Sequence, residues 1–185
     1  MVFMNKRNGK SLVRWFIPLL LCWSLSAAAE TLVGKVVGVT DGDTVTVLDE
    51  QRQQHKVRLA GIDAPEKRQP FGSRSKEALS DKVFGKTVAI EWNKLDRYGR
   101  IVGKIVVDAR DVNLGQIEAG LAWWYQKYSS EQSVADRKLY EQAEVNARMK
   151  RLGLWSEPAP TPPWDWRKFK VSSKTELDSS AMEGK

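Results

Sequence analysis

The chain has 185 residues, a formal net charge of +7, one histidine and one cysteine. That length holds one ordinary domain. His55 follows the polar run 51–54 and reads as a solvated strand-edge residue, which leaves Ser-His-Asp, Cys-His and Cys/His zinc chemistry short of parts. Any chemistry must therefore come from carboxylates, arginines, lysines, tyrosines or hydroxyls.

Residues 1–29 have the layout of a secretory signal peptide. Lys6, Arg7, Lys10 and Arg14 form a basic start, 15–25 is a short apolar run interrupted by Pro18, and Ala27-Ala28-Ala29 is a small-residue cleavage signal. The run is too short to span a bilayer comfortably. Cleavage after Ala29 removes four cations, no acids and Cys22, so the mature net charge is +3 and no thiol or disulfide chemistry remains. A periplasmic or secreted protein without stable membrane association is expected.

Residues 30–156 form the expected domain. Residues 32–39 and 44–48 are valine-rich strands around an Asp41-Gly42-Asp43 turn, and 56–62 is a third strand. Three meandering strands suggest a small barrel or sandwich. Residues 71–84 have helical spacing, with Ser73 or Ser75 as the candidate cap and Gly85 as the stop. Residues 87–92 and 100–107 are strands four and five around the charged loop 94–99, and 110–119 and 133–148 are two further helices joined by the aromatic stretch 123–128. Trp155 reads as a core anchor. Residues 157–185 are a proline-rich segment followed by a polar, disordered tail, with Trp164 and Trp166 available to hold the segment to the surface.

The stretch 57–66, V-R-L-A-G-I-D-A-P-E, organises the rest. Pro65 ends a strand there, delivering Asp63 and Glu66 beside a rigid turn. Strict alternation puts Arg58 and Asp63 on opposite faces, so a shared site requires the strand to bulge or leave the sheet at Gly61. Alone, Asp41-Gly42-Asp43-Thr44 is an ordinary Asp-Gly turn. If strand three pairs beside it, Asp41, Asp43, Asp63 and Glu66 converge, and four close carboxylates need a cation. Oxygen ligands alone favour a hard one, Ca²⁺ or Mg²⁺. Arg100, at the mouth of strand five, would join Arg58 to make a fork-shaped phosphate receptor.

The motifs at 41–44, 57–66, 96–100, 120–122 (Gly-Leu-Ala) and 152–155 (Leu-Gly-Leu-Trp) resemble, in order and approximate spacing, the staphylococcal nuclease (thermonuclease) family. The resemblance spans 34–155 and implies an α+β, mainly β fold: a five-stranded OB-fold barrel with three helices. It implies a Ca²⁺-dependent nuclease that cleaves DNA and RNA and leaves 3′-phosphate ends; a monomer that favours single strands is expected. By position, Asp43 and Asp63 match the metal-ligating carboxylates, the backbone carbonyl of Ala64 a further ligand, and Asp41 the outer shell. Ala64 stands where the family commonly has threonine. Arg58, Glu66 and Arg100 match the catalytic positions, and Tyr125 and Tyr128 fall near the nucleotide-flanking tyrosines. The loop 67–72 is shorter than the type member's.

Two other classes compete. A non-catalytic OB-fold that binds single-stranded nucleic acid would use the aromatics but has no need of Asp43, Asp63 and Glu66. A structural calcium-binding domain leaves Arg58 and Arg100 unexplained.

Overall fold

The computed structural model of the chain describes residues 30–169. The leader expected over 1–29 and the polar tail expected over 171–185 lie outside them.

Strands β1 (Glu30–Asp41), β2 (Thr44–Asp49) and β3 (Gln54–Leu59) form an antiparallel meander. The first half of β1 pairs with β5 (Thr87–Leu95), which pairs in turn with β6 (Ile101–Val107). β6 then lies parallel to β3, with Val57 opposite Ile101 and Leu59 opposite Gly103, and the barrel closes on five strands. This is the OB-type α+β architecture expected. β1 serves both neighbours because its register slips between Val36 and Gly38 and again between Val39 and Asp41. Such irregularities bend and twist a strand. Val36, Val45, Val47, Val57, Leu59, Ile90 and Ile105 fill the interior, each buried almost completely. Each such side chain contributes about 1.5–3 kcal/mol of burial.

Between β3 and β5 come the short β4 (Ile62–Asp63) and helix α1 (Gly72–Val83). Helix α1 buries Gly72, Ser75, Leu79 and Val83, a stripe at helical spacing. Neither Ser73 nor Ser75 caps it. The helix starts at Phe71 in a left-handed conformation without a side-chain cap, so Ser75 falls inside the first turns and donates its hydroxyl to Leu121 O at 2.7 Å. After β7 (Arg110–Asp111), helix α2 (Val112–Glu118) is capped by Asp111, which accepts from Leu114 N at 3.0 Å. Then β8 (Trp123–Trp124) pairs with β4, and α3 (Val134–Met149) starts at Ser133, whose hydroxyl accepts from Asp136 N.

A second, smaller core gathers Trp123, Ala147, Leu154 and Trp155, with Phe71 and Trp164 packed against it. Trp155 is the expected anchor, its ring 4.3 Å from that of Trp123. Trp164 begins the next part of the chain: 163–169 is helical and lies against the domain. Among the described residues, no helix is long and apolar enough to cross a membrane.

Candidate active site

The strand carrying Arg58 does break at the glycine. β3 stops at Leu59, Gly61 takes φ +72°, and the chain re-enters as β4 in the small sheet with β8. A left-handed turn costs glycine little and other residues more. The turn is pinned from outside. Asn113, fully buried, donates to Ala60 O (3.0 Å) and Gly103 O (3.1 Å) and accepts from Ile105 N (3.1 Å). The consequence is a change of face, and Arg58 reaches Asp63 at 2.8 Å.

The other acidic loop is fixed in the same way. Gly42 lies against α1 so closely that a Cβ there would stand 1.8 Å from Ser75 Oγ. The buried Gln116 donates to both Gly42 O and Ser75 O at 3.0 Å. Asp43 is thereby presented to Arg58 (2.5 Å), while its second carboxylate oxygen accepts from Ala64 N at 2.8 Å. Asp41 is adjacent and accepts from Asp43 N at 3.2 Å.

The acidic groups do not collect around one point. They alternate with guanidinium groups: Arg58 joins Asp43 to Asp63, and Arg167 joins Asp63 to Glu66. Among the described residues, no three Asp, Glu, His or Cys side chains are gathered as metal ligands. Yet the four carboxylates, Asp41, Asp43, Asp63 and Glu66, outnumber the two guanidinium groups paired with them. Burial and the charge of Asp43 push Asp41 up to about 7. Burial also raises Asp63, outweighing its bonds from Arg167 and the charge of Arg58. Asp43 goes the other way: burial would raise it, but Arg58 together with the Ala64 amide and Thr44 hydroxyl holds it below the usual carboxylate range. An oxygen-only donor set with surplus negative charge suits a hard divalent cation.

Asp41, Asp43, Arg58, Ala64, Glu66, Arg100, Tyr125 and Tyr128 all line one open cleft of about 1090 Å³, with Asp63 fully buried behind its wall. Arg100 lines this cleft but its guanidinium is bound within its own turn. It donates to Asp96 from Nε at 2.7 Å and lies 5.4 Å from the Tyr98 ring. Tyr125 and Tyr128 meet edge to face at 5.0 Å. Lys94, Arg97, Lys127 and Arg148 add positive charge to the lining. His55 pairs with Asp49 at 2.7 Å on the barrel edge, away from the cleft.

A family model described as staphylococcal nuclease homologue matches residues 56–157. The chain belongs to the staphylococcal nuclease family. It is thus a nuclease, a hydrolase of phosphodiester bonds. Similar proteins include an uncharacterised endonuclease of Escherichia coli, 39% identical over 157 residues that cover 84% of this chain and 98% of that one. An uncharacterised endonuclease of Haemophilus influenzae is 40% identical over 151 residues, 81% and 82% of the two chains. A micrococcal nuclease of Shigella flexneri is 40% identical over 144 residues, 73% and 80%.

Sequence reasoning missed the residues that hold this nuclease's site in place: Asn113, Gln116, Ser75 and Gln69. Gln69 accepts from Glu66 N (3.1 Å) and donates to Thr161 O (2.6 Å), so it ties the Glu66 turn to the C-terminal segment. It also missed Arg167. The one available signal was Trp164-Asp165-Trp166 after Pro162-Pro163, an apolar anchor in an otherwise polar stretch.

Proposed function

We propose that this nuclease is an exported, calcium-dependent enzyme that hydrolyses single strands of DNA and RNA and leaves 3′-phosphate ends. The observation that carries the reading is that Asp43 and Arg58, in the wall of a cleft that Glu66 and Arg100 also line, interlock with Asp63 behind it. Asp43 and Asp63, with the Ala64 carbonyl and with Asp41 behind, would hold Ca²⁺. When bound, the ion supplies Lewis-acid polarisation of a phosphodiester oxygen.

The chain's own residues do the rest. Glu66, which lines the cleft, takes a proton from the attacking water as general base. Arg58 and Arg100 bind the phosphoryl oxygens on which charge builds, the role for which guanidinium forks are suited. The water oxygen bonds to phosphorus, the bond to the 5′ oxygen breaks, and that oxygen takes a proton from solvent to leave as a hydroxyl, while Glu66 returns its proton to solvent. Tyr125 and Tyr128 flank the nucleotide. An open cleft with stacking rings and basic residues suits a strand whose bases are unpaired. Export rests on the residue pattern of 1–29, and the protein acts as a monomer.

The test is incubation of the purified protein with single-stranded DNA and, separately, RNA, with Ca²⁺ or with a chelator, followed by end analysis. Fragments bearing 3′-phosphates only when Ca²⁺ is present support the reading. Chelator-resistant cleavage, or 3′-hydroxyl products, overturns the metal or the bond assignment.

A further inference from the structure

The segment after the barrel is built into the cleft. Thr161 O is held by Gln69, which is itself buried. Trp164 lies parallel to Tyr125 (centroids 5.3 Å apart, planes within 5°) and edge to face with Trp123 at 5.5 Å. One helical turn further on, Arg167 reaches both oxygens of Asp63, at 3.2 Å from Nη1 and 2.7 Å from Nη2, and Glu66 at 2.8 Å. Asp63 lies 104 residues away along the chain, so this contact is purely tertiary.

Three features separate Arg167 from a structural ion pair. Its side chain keeps 42% of its surface exposed, and Arg167 lines the same cleft as Arg58 and Arg100. Its partners are the two carboxylates assigned above to metal and proton transfer. Finally, its neighbour Trp164 stacks on a ring assigned to the nucleotide, so base platform and guanidinium arrive on one short helix. A guanidinium this close to those carboxylates is within one side chain's swing of any phosphate they act on.

We infer that the segment 157–169 completes the substrate site, and that Arg167 is a third guanidinium binding substrate phosphate, backed by the Trp164–Tyr125 stack. In the free protein its fork rests on Asp63 and Glu66. With substrate present it turns to an anionic oxygen, which it binds with the same two-pronged geometry. The inference rests on the nuclease reading and the residue roles proposed above.

The experiment compares wild type, Arg167→Gln and Arg167→Lys in steady-state cleavage of a single-stranded oligodeoxynucleotide over a range of salt, with thermal melting of each. A hydrogen bond to a charged group contributes about 1.5–3 kcal/mol, so Arg167→Gln should lose roughly ten- to a hundred-fold in kcat/KM, chiefly through KM. The slope of log(kcat/KM) against log[salt] should flatten by about 0.7, the share of one phosphate contact on a single strand. Arg167→Lys, which keeps the charge without the fork, should recover the salt slope and part of the affinity. A folded Arg167→Gln enzyme with wild-type KM and salt slope overturns the inference, and so does a faster one, which would make the segment an inhibitory plug. If Gln does not fold, Lys decides: wild-type salt slope with raised KM supports the contact, and unchanged KM overturns it. An active wild type with indifferent variants sinks this inference alone, whereas an inert wild type sinks the nuclease reading with it.

Discussion

Replacing Arg58 with methionine strands two buried carboxylates, and the size of the penalty follows from the geometry. Arg58 contacts Asp43 at 2.5 Å and Asp63 at 2.8 Å, and those two carboxylates keep 4% and 0% of their side-chain surface. Removing one partner of a buried pair typically costs about 3–5 kcal/mol, because the charge left behind is neither solvated nor paired. Arg167 still holds Asp63, so Asp43 takes most of the loss and the lower half of that range is expected. An exposed pair such as Lys94–Glu131 should lose less than about 1 kcal/mol on the same replacement. Urea unfolding at neutral pH, followed by tryptophan fluorescence with a chelator present so that no cation takes the guanidinium's place, reads the difference. With a slope of about 1–3 kcal/mol per molar urea, the Arg58→Met midpoint should fall by roughly 1–4 M. Adding Asp43→Asn should restore part of the stability and none of the activity. A loss under about 1 kcal/mol, or no recovery in the double variant, refutes the claim that Arg58 is the counter-ion of that pair.

Two further outcomes follow from the residues that hold the loops. Asn113→Ala leaves Ile105 N and Ala60 O without their side-chain partner, while Gly103 O keeps the Ala60 amide. At about 1–3 kcal/mol per buried orphan, it should cost roughly 2–6 kcal/mol in urea unfolding and lower kcat by loosening the Gly61 turn. Asp96 accepts from Tyr98 N, Arg100 N and Arg100 Nε at 2.7–3.0 Å, so Asp96→Ala should cost about 1–2 kcal/mol and lower turnover by releasing Arg100. Burial would raise Asp96, but Arg100 and the two amides outweigh it and hold the carboxyl below its ordinary value. Its contribution is therefore full above the unfolded carboxylate pKa of about 3.9 and fades as pH falls through the lowered value. The stability gap between wild type and Asp96→Ala should close in acid and persist at pH 7.

How much of this was legible depends on how local each cause is. The barrel strands could be read because valine alternation and Asp-Gly turns are short-range signals, and the break between Arg58 and Asp63 because only Gly61 offers the left-handed turn. Ser75 misled: the sequence shows a serine near a helix start, but the helix begins after a left-handed, uncapped Phe71, where Gly72 packs close against Glu66 O. The four carboxylates were expected together with Arg58, and the second interleaved guanidinium, Arg167, was not. Arg58 alone could be anticipated, since the second guanidinium comes from the far end of the chain. Asn113 and Gln116 were invisible for the same reason. A buried amide looks like any surface amide until the loops it bridges are in place.

The assignment of catalysis to this cleft is tested most directly by the turnover of Arg100→Ala on single-stranded DNA, measured beside its melting curve. Removing one oxyanion-stabilising donor typically costs about 10²–10³ in rate. The account predicts a loss of that order with a melting temperature near wild type. A folded Arg100→Ala enzyme with wild-type kcat would contradict it.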